Sequence, residues 1–99
     1  ADMITQSMKD LDHPNVKLHI MQAKHKWSNI VPNPNEPNDP RNWDFIKRII
    51  RIVLLYGQTT TNYRDPDQET YFYSYSGYII DVVGRWIDGI FRISDAWVR

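Results

Sequence analysis

Cysteine is absent from the 99 residues, which excludes disulfides, zinc–thiolate centres and thiol nucleophiles. Long apolar runs are absent as well, and none approaches the ~18 residues of a membrane-spanning helix. Net charge is lacking, because twelve Lys+Arg balance twelve Asp+Glu. A uniformly basic surface for a polyanion is therefore excluded, and such a partner would have to meet a local patch. There is no glycine-rich phosphate loop, no nucleophile elbow and no paired-carboxylate motif. The stretch Ala1–Asp10 lacks a basic-then-apolar leader pattern and reads as a cut inside a longer chain.

What is present is globular composition: 41% apolar, 24% charged and 13% aromatic residues. At 11.8 kDa the chain is one domain over residues 1–99. Its folded surface should be about 5,900 Å² against about 17,100 Å² unfolded, so roughly 65% is buried. Charge is unevenly spread. Residues 1–57 hold eight basic and six acidic side chains, and residues 58–99 hold four and six. Lys17, Lys24 and Lys26 have no acid near them in sequence, whereas Asp65, Asp67 and Glu69 cluster.

Along the chain, Asp12-His-Pro-Asn15 reads as a turn or helix start. Val16, Ile20, Ala23 and Trp27 have helical spacing, while Val16/Leu18/Ile20 also permits a short strand. Four prolines and three asparagines in Pro32–Pro40 mark a loop. Asn42 can cap a helix over Trp43–Tyr56 with Trp43, Ile46, Ile49, Ile50, Val53 and Leu54 on one face. Gly57 is expected to end it through a positive φ. After Gly57 the period becomes two. Strands are expected at Thr59–Arg64, Thr70–Tyr75, Tyr78–Val83, Arg85–Ile87 and Ile90–Val98. Turns are expected at Asp65-Pro66-Asp67, Ser76-Gly77 and Asp88-Gly89. The order predicts an α+β fold, with N-terminal helices packed on a small twisted antiparallel sheet of about four strands.

His25 is the most suggestive residue for chemistry. It lies between Lys24 and Lys26 and has His19 six positions upstream. That spacing does not make a helical metal pair, and no metal or cofactor is expected. A histidine beside lysines has the composition of an RNA-cleaving site. One group takes the 2′-hydroxyl proton, one donates to the leaving 5′-oxygen, and cations hold the phosphorane. The alternative is a helix-end histidine on a solvated basic face. Strict alternation in the last strand puts Ile90, Arg92, Ser94, Ala96 and Val98 on one face and Phe91, Ile93, Asp95 and Trp97 on the other. Arg92 and Ser94 could grip a phosphate there, and Arg64 is another phosphate contact to consider. Trp97 reads as core or as a stacking platform. Tyr71, Tyr73 and Tyr75 form a stripe that packs under a helix or stacks bases.

Two short motifs, Gln22-Ala23-Lys24-His25 and Asp88-Gly89-Ile90-Phe91-Arg92-Ile93-Ser94-Asp95-Ala96-Trp97, bracket an amphipathic helix and a meander. In this order they resemble the barnase–EndoU–colicin–RelE class of ribonuclease toxins. The resemblance is closest to the colicin D nuclease and to toxin domains at the C-terminus of contact-dependent growth inhibition effectors. It implies a metal-independent endoribonuclease that cleaves transfer RNA and is blocked by a cognate immunity protein, with a host translation factor as a conceivable helper. It further implies a C-terminal part of a secreted, cell-surface effector that acts in the cytosol of a target bacterium. By the resemblance His25 is the general acid/base, Lys24 stabilises the transition state, Ser94 holds the phosphate and Trp97 shapes the site. His19, Lys26, Arg64 and Arg92 are the RNA- and phosphate-binding candidates. Two positions depart from the pattern. Gln22 stands where colicin D has a lysine, and Ser94 and Trp97 are three apart rather than two, which puts them on opposite strand faces unless a β-bulge intervenes.

Two other functions compete: a non-catalytic protein-binding module using the tyrosines and the Pro/Asn loop, and the immunity or antitoxin partner of such a toxin.

Overall fold

The described residues of the computed structural model, 2–99, form three α-helices, three 3-10 turns and one four-stranded antiparallel sheet. Helix α1 (Met3–Met8) starts at Asp2, whose side chain accepts from the Thr5 N–H at 2.7 Å. A 3-10 turn (Lys9–Asp12) leads to α2 (Pro14–Ile20), and two more follow at Ala23–His25 and Trp27–Asn29. Then come α3 (Pro40–Tyr56), β1 (Gln58–Asn62), β2 (Asp65–Tyr75), β3 (Tyr78–Ile87) and β4 (Ile90–Val98). The strands pair in the order β1-β2-β3-β4, a meander. Among the described residues no helix is long and apolar enough to cross a membrane.

Helix α3 begins three residues earlier than the Asn42 cap implies. Asp39 is the cap, accepting from the Arg41 N–H at 2.9 Å, with Pro40 in the first turn, where its missing N–H costs nothing. Asn42 is inside the helix and fully buried. Its amide donates to the carbonyls of Asn33 and Glu36 and accepts from the Asn33 N–H, tying the Pro/Asn loop to α3. Gly57 has φ −73°, so the expected positive φ is absent. Glycine is needed there because a Cβ would stand 2.5 Å from the Val53 carbonyl oxygen and 2.7 Å from that of Phe72.

The buried face of α3 (Ile46, Ile49, Ile50, Val53, Leu54) meets Ile80 and Val82 of β3 and Phe91, Ile93, Ala96 and Val98 of β4. Each of these side chains larger than alanine contributes about 1.5–3 kcal/mol when fully buried. The tyrosine stripe belongs to this layer. Tyr71, Tyr73 and Tyr75 stand opposite Val82, Ile80 and Tyr78 and pack on the core. The hairpins β2–β3 and β3–β4 turn at Ser76-Gly77 and Asp88-Gly89, all four residues at positive φ, as a two-residue turn of this hand requires. Asp65-Pro66-Asp67 lies within β2, and the chain turns at Tyr63-Arg64 instead. The segments Tyr78–Val83 and Arg85–Ile87 are one continuous strand.

The N-terminal segment is fastened to β4 by Asp10, which is 4% exposed. Its carboxylate accepts from the Ile93 N–H at 2.9 Å and from Arg92 Nε and Nη2 at 3.2 and 2.6 Å.

Candidate functional site

Strand β4 does not alternate from end to end. Ile93 stands opposite Gly84 and Asp95 opposite Val83, so Ser94 is one extra residue, a β-bulge. Ile93 and Ala96 are both buried, which puts Ser94 and Asp95 between them on the side away from the core. Beyond the bulge Ala96 and Val98 point inward, leaving Asp95 and Trp97 on the outer side. The buried set is therefore Phe91, Ile93, Ala96 and Val98, in place of the two sets that strict alternation predicts. Ser94 is exposed, and its hydroxyl donates to the Val83 carbonyl at 3.2 Å.

Facing this stretch is the segment after α2. The spacing of Val16, Ile20, Ala23 and Trp27 predicts one helix, yet the helix ends at Ile20 and the backbone extends at Gln22. Tertiary contacts override the local pattern. Trp27 Nε1 donates to the Ala96 carbonyl at 3.3 Å, and Lys26 adopts φ 62° to bring it there. Leaving the helix frees the Ile20 carbonyl, which lies 3.0 Å from His25 Nδ1. A carbonyl oxygen can only accept, so Nδ1 carries a proton, and in the neutral ring Nε2 holds the lone pair. The His25 side chain is 8% exposed. Nε2 takes no hydrogen bond among the described residues, and no side-chain nitrogen or oxygen there is both buried and unpaired. Nε2 therefore reaches solvent.

Asp95 links two histidines. Its Oδ1 is 3.4 Å from His25 Nδ1, and its Oδ2 is 3.5 Å from His19 Nε2. Oδ1 also accepts from the Ala96 N–H at 2.9 Å, which fixes the carboxylate. The imidazole rings are 6.2 Å apart and nearly perpendicular. Trp97 closes the group, its ring 5.8 Å from that of His25. His19 is the exposed member, with more than half of its side chain in solvent.

The structure thus brings together His19, His25 and Trp97 of the expected residues, with Ser94 beside Asp95 in the bulge. Lys24 is exposed on the same 3-10 turn as His25, and Lys26 is exposed at its end. Arg92 is half exposed but forks onto Asp10. Arg64 is apart from the group: it lies in the β1–β2 turn, at the opposite edge of the sheet from β4, against the ring and hydroxyl of Tyr63. Asp95 was not among the expected residues. Its signal in the sequence is an acid two positions before Trp97, legible only once the bulge is known. An apolar cleft lined by Met21, Trp27, Val31 and Ile46 does not include His25. Among the described residues no cluster of three or more His, Cys, Asp or Glu side chains is arranged to hold a metal ion.

No family model, no curated protein and no solved structure matches this chain.

Proposed function

We propose that the chain is an endoribonuclease domain that cleaves RNA by acid/base transesterification without a metal. The observation that carries this reading is the Asp95 carboxylate between two imidazoles, with His25 held in the tautomer that leaves Nε2 free as a base. His25 Nε2 takes the proton of a ribose 2′-hydroxyl. The oxygen attacks the adjacent phosphorus, and the bond from phosphorus to the 5′-oxygen breaks. His19, entering the step as the imidazolium with Nε2–H toward Asp95, gives the leaving oxygen the proton of its other nitrogen. The products are a 2′,3′-cyclic phosphate and a 5′-hydroxyl, with atoms and protons in balance. Lys24 and Lys26 offer cations to the phosphorane, and the Ser94 hydroxyl keeps lone pairs for a phosphate-bound water or proton. The resemblance in sequence order supports the finer reading: transfer RNA as substrate, a toxin role against competing bacteria, and a cognate immunity protein as partner.

The test is cleavage of total transfer RNA in EDTA, with and without cell extract, by the wild type and by His25→Asn. Asparagine can keep a donor to the Ile20 carbonyl while removing the base. Fragments ending in a cyclic phosphate are expected from the wild type, with the rate lowered about 10²–10⁴-fold in the variant. A wild type inert in every condition, or an equally active variant with an unchanged unfolding midpoint, would end the proposal.

A further inference from the structure

The face of the sheet turned away from the helices has one level at which three strands line up. Phe72 of β2 pairs with Asp81 of β3, and Asp81 with Trp97 of β4. Phe72, Ile79, Val83 and Trp97 all stand outside the apolar cluster that joins helices to sheet. At the centre of the level, Asp81 is 4% exposed. It accepts from Arg99 Nε and Nη2 at 2.8 and 3.0 Å. The guanidinium carbon of Arg99 lies 5.5 Å from the centroid of the Phe72 ring, and half of the Arg99 side chain remains in solvent. From the edge inward the level reads His25, Trp97, Arg99 on Asp81, and Phe72. Trp97 and Phe72 are two strand spacings apart, about 10 Å.

We propose that this face is a stacking platform for single-stranded RNA, with Trp97 under the base next to the scissile phosphate and the Arg99–Phe72 pair under a neighbouring base. The placement of the scissile phosphate rests on the ribonuclease reading of His25. Flat guanidinium and aromatic planes are what bases stack on, and two-stranded RNA would not present its bases to them. The charge pattern selects bases over phosphates. Arg85, Arg92 and Arg99 on this face are each engaged by a carboxylate, those of Asp65, Asp10 and Asp81. Fork-held guanidinium groups keep their planes in position while their charge is spent locally. Attraction for the backbone is left to Lys24 and Lys26 at the rim, beside His25.

The test is binding of a single-stranded 2′-O-methyl adenosine hexamer, which cannot be cleaved, to the full chain by fluorescence anisotropy. Phe72→Leu keeps an apolar side chain without a ring, and Arg99→Lys keeps a charge for Asp81 without a plane. Each is expected to weaken binding about 5- to 100-fold, the loss of one base stack, with an unchanged salt dependence. Folded variants that bind like the wild type overturn the platform, and if the wild type also cleaves RNA the ribonuclease reading survives that result. Platform-dependent binding by a wild type that cleaves nothing has the opposite meaning. A hexamer that does not bind at all overturns the platform and leaves the face to a protein partner.

Discussion

Replacing Asp10 by alanine should be among the costlier single changes to this fold, although Asp10 lies near the N-terminus and far in sequence from its partners. The carboxylate is the acceptor for the buried Ile93 N–H. Without it that donor has no partner, at a cost of about 1–3 kcal/mol. The two bonds to Arg92 add less, because its side chain is 45% exposed and can turn to water, so they contribute about 0–1 kcal/mol. The sum is about 1–4 kcal/mol, or a fall in unfolding midpoint of roughly 4–8 °C per kcal/mol for a chain of this size. Asp10→Asn is the control. Its carbonyl still accepts from Ile93, and only the charge on Arg92 is lost, so its cost should stay near the lower end, about 1 kcal/mol. Urea unfolding followed by tryptophan fluorescence gives both numbers, with an unchanged slope showing that the two-state fold is intact. If the asparagine variant costs as much as the alanine variant, the Ile93 bond is not what matters, and the reasoning is refuted.

Two further outcomes are expected besides the nuclease and platform tests. Gly57→Ala should destabilise the fold by about 1–3 kcal/mol, because the added Cβ meets backbone oxygens of both α3 and β2, neither of which can swing aside; an unchanged thermal midpoint would show that the junction relaxes freely. Hydrogen bonds from Arg41 first and Asn33 second hold the Asp39 carboxyl well below the usual carboxylate range. A lowered folded value contributes stability that is complete above the unfolded carboxylate value, about 3.9, and is lost as pH falls below it. Asp39→Asn, which retains a capping oxygen, should therefore lose less stability between pH 5 and pH 2 than the wild type; parallel curves from pH-dependent urea titrations would contradict this.

The parts of the fold legible in the sequence are those set by local period and turn chemistry. The apolar face of α3 shows in the spacing of Ile46, Ile49, Ile50 and Val53, and the two tight hairpins show in Ser76-Gly77 and Asp88-Gly89. The tyrosine stripe follows from alternation, and its place under α3 from the need of that helix for a partner surface. What was hidden depends on distant contacts. Nothing local stops α2 at Ile20; the stop comes from Trp27 reaching Ala96, 69 positions away. The start of α3 at Asp39 is masked because Asn42, a good cap by type, is instead spent on the Pro/Asn loop. For the candidate site, His25, His19 and Trp97 stand out by residue type, but Asp95 does not. Its meeting with both histidines requires the bulge at Ser94, which no short-range pattern announces.

That bulge makes the histidine group a matter of counting. Three steps, not two, separate the inward residues Ile93 and Ala96. Take out Ser94 and the strand alternates regularly, with Ala96 and Val98 still inward; keep every residue but flatten the bulge, and Ala96 and Val98 emerge into water while Asp95 and Trp97 are driven into the helix layer. Any side chain at position 94 keeps the tally odd, whatever its chemistry. The outward placement of Asp95 and Trp97 is thus written in the phase of a strand as much as in its letters.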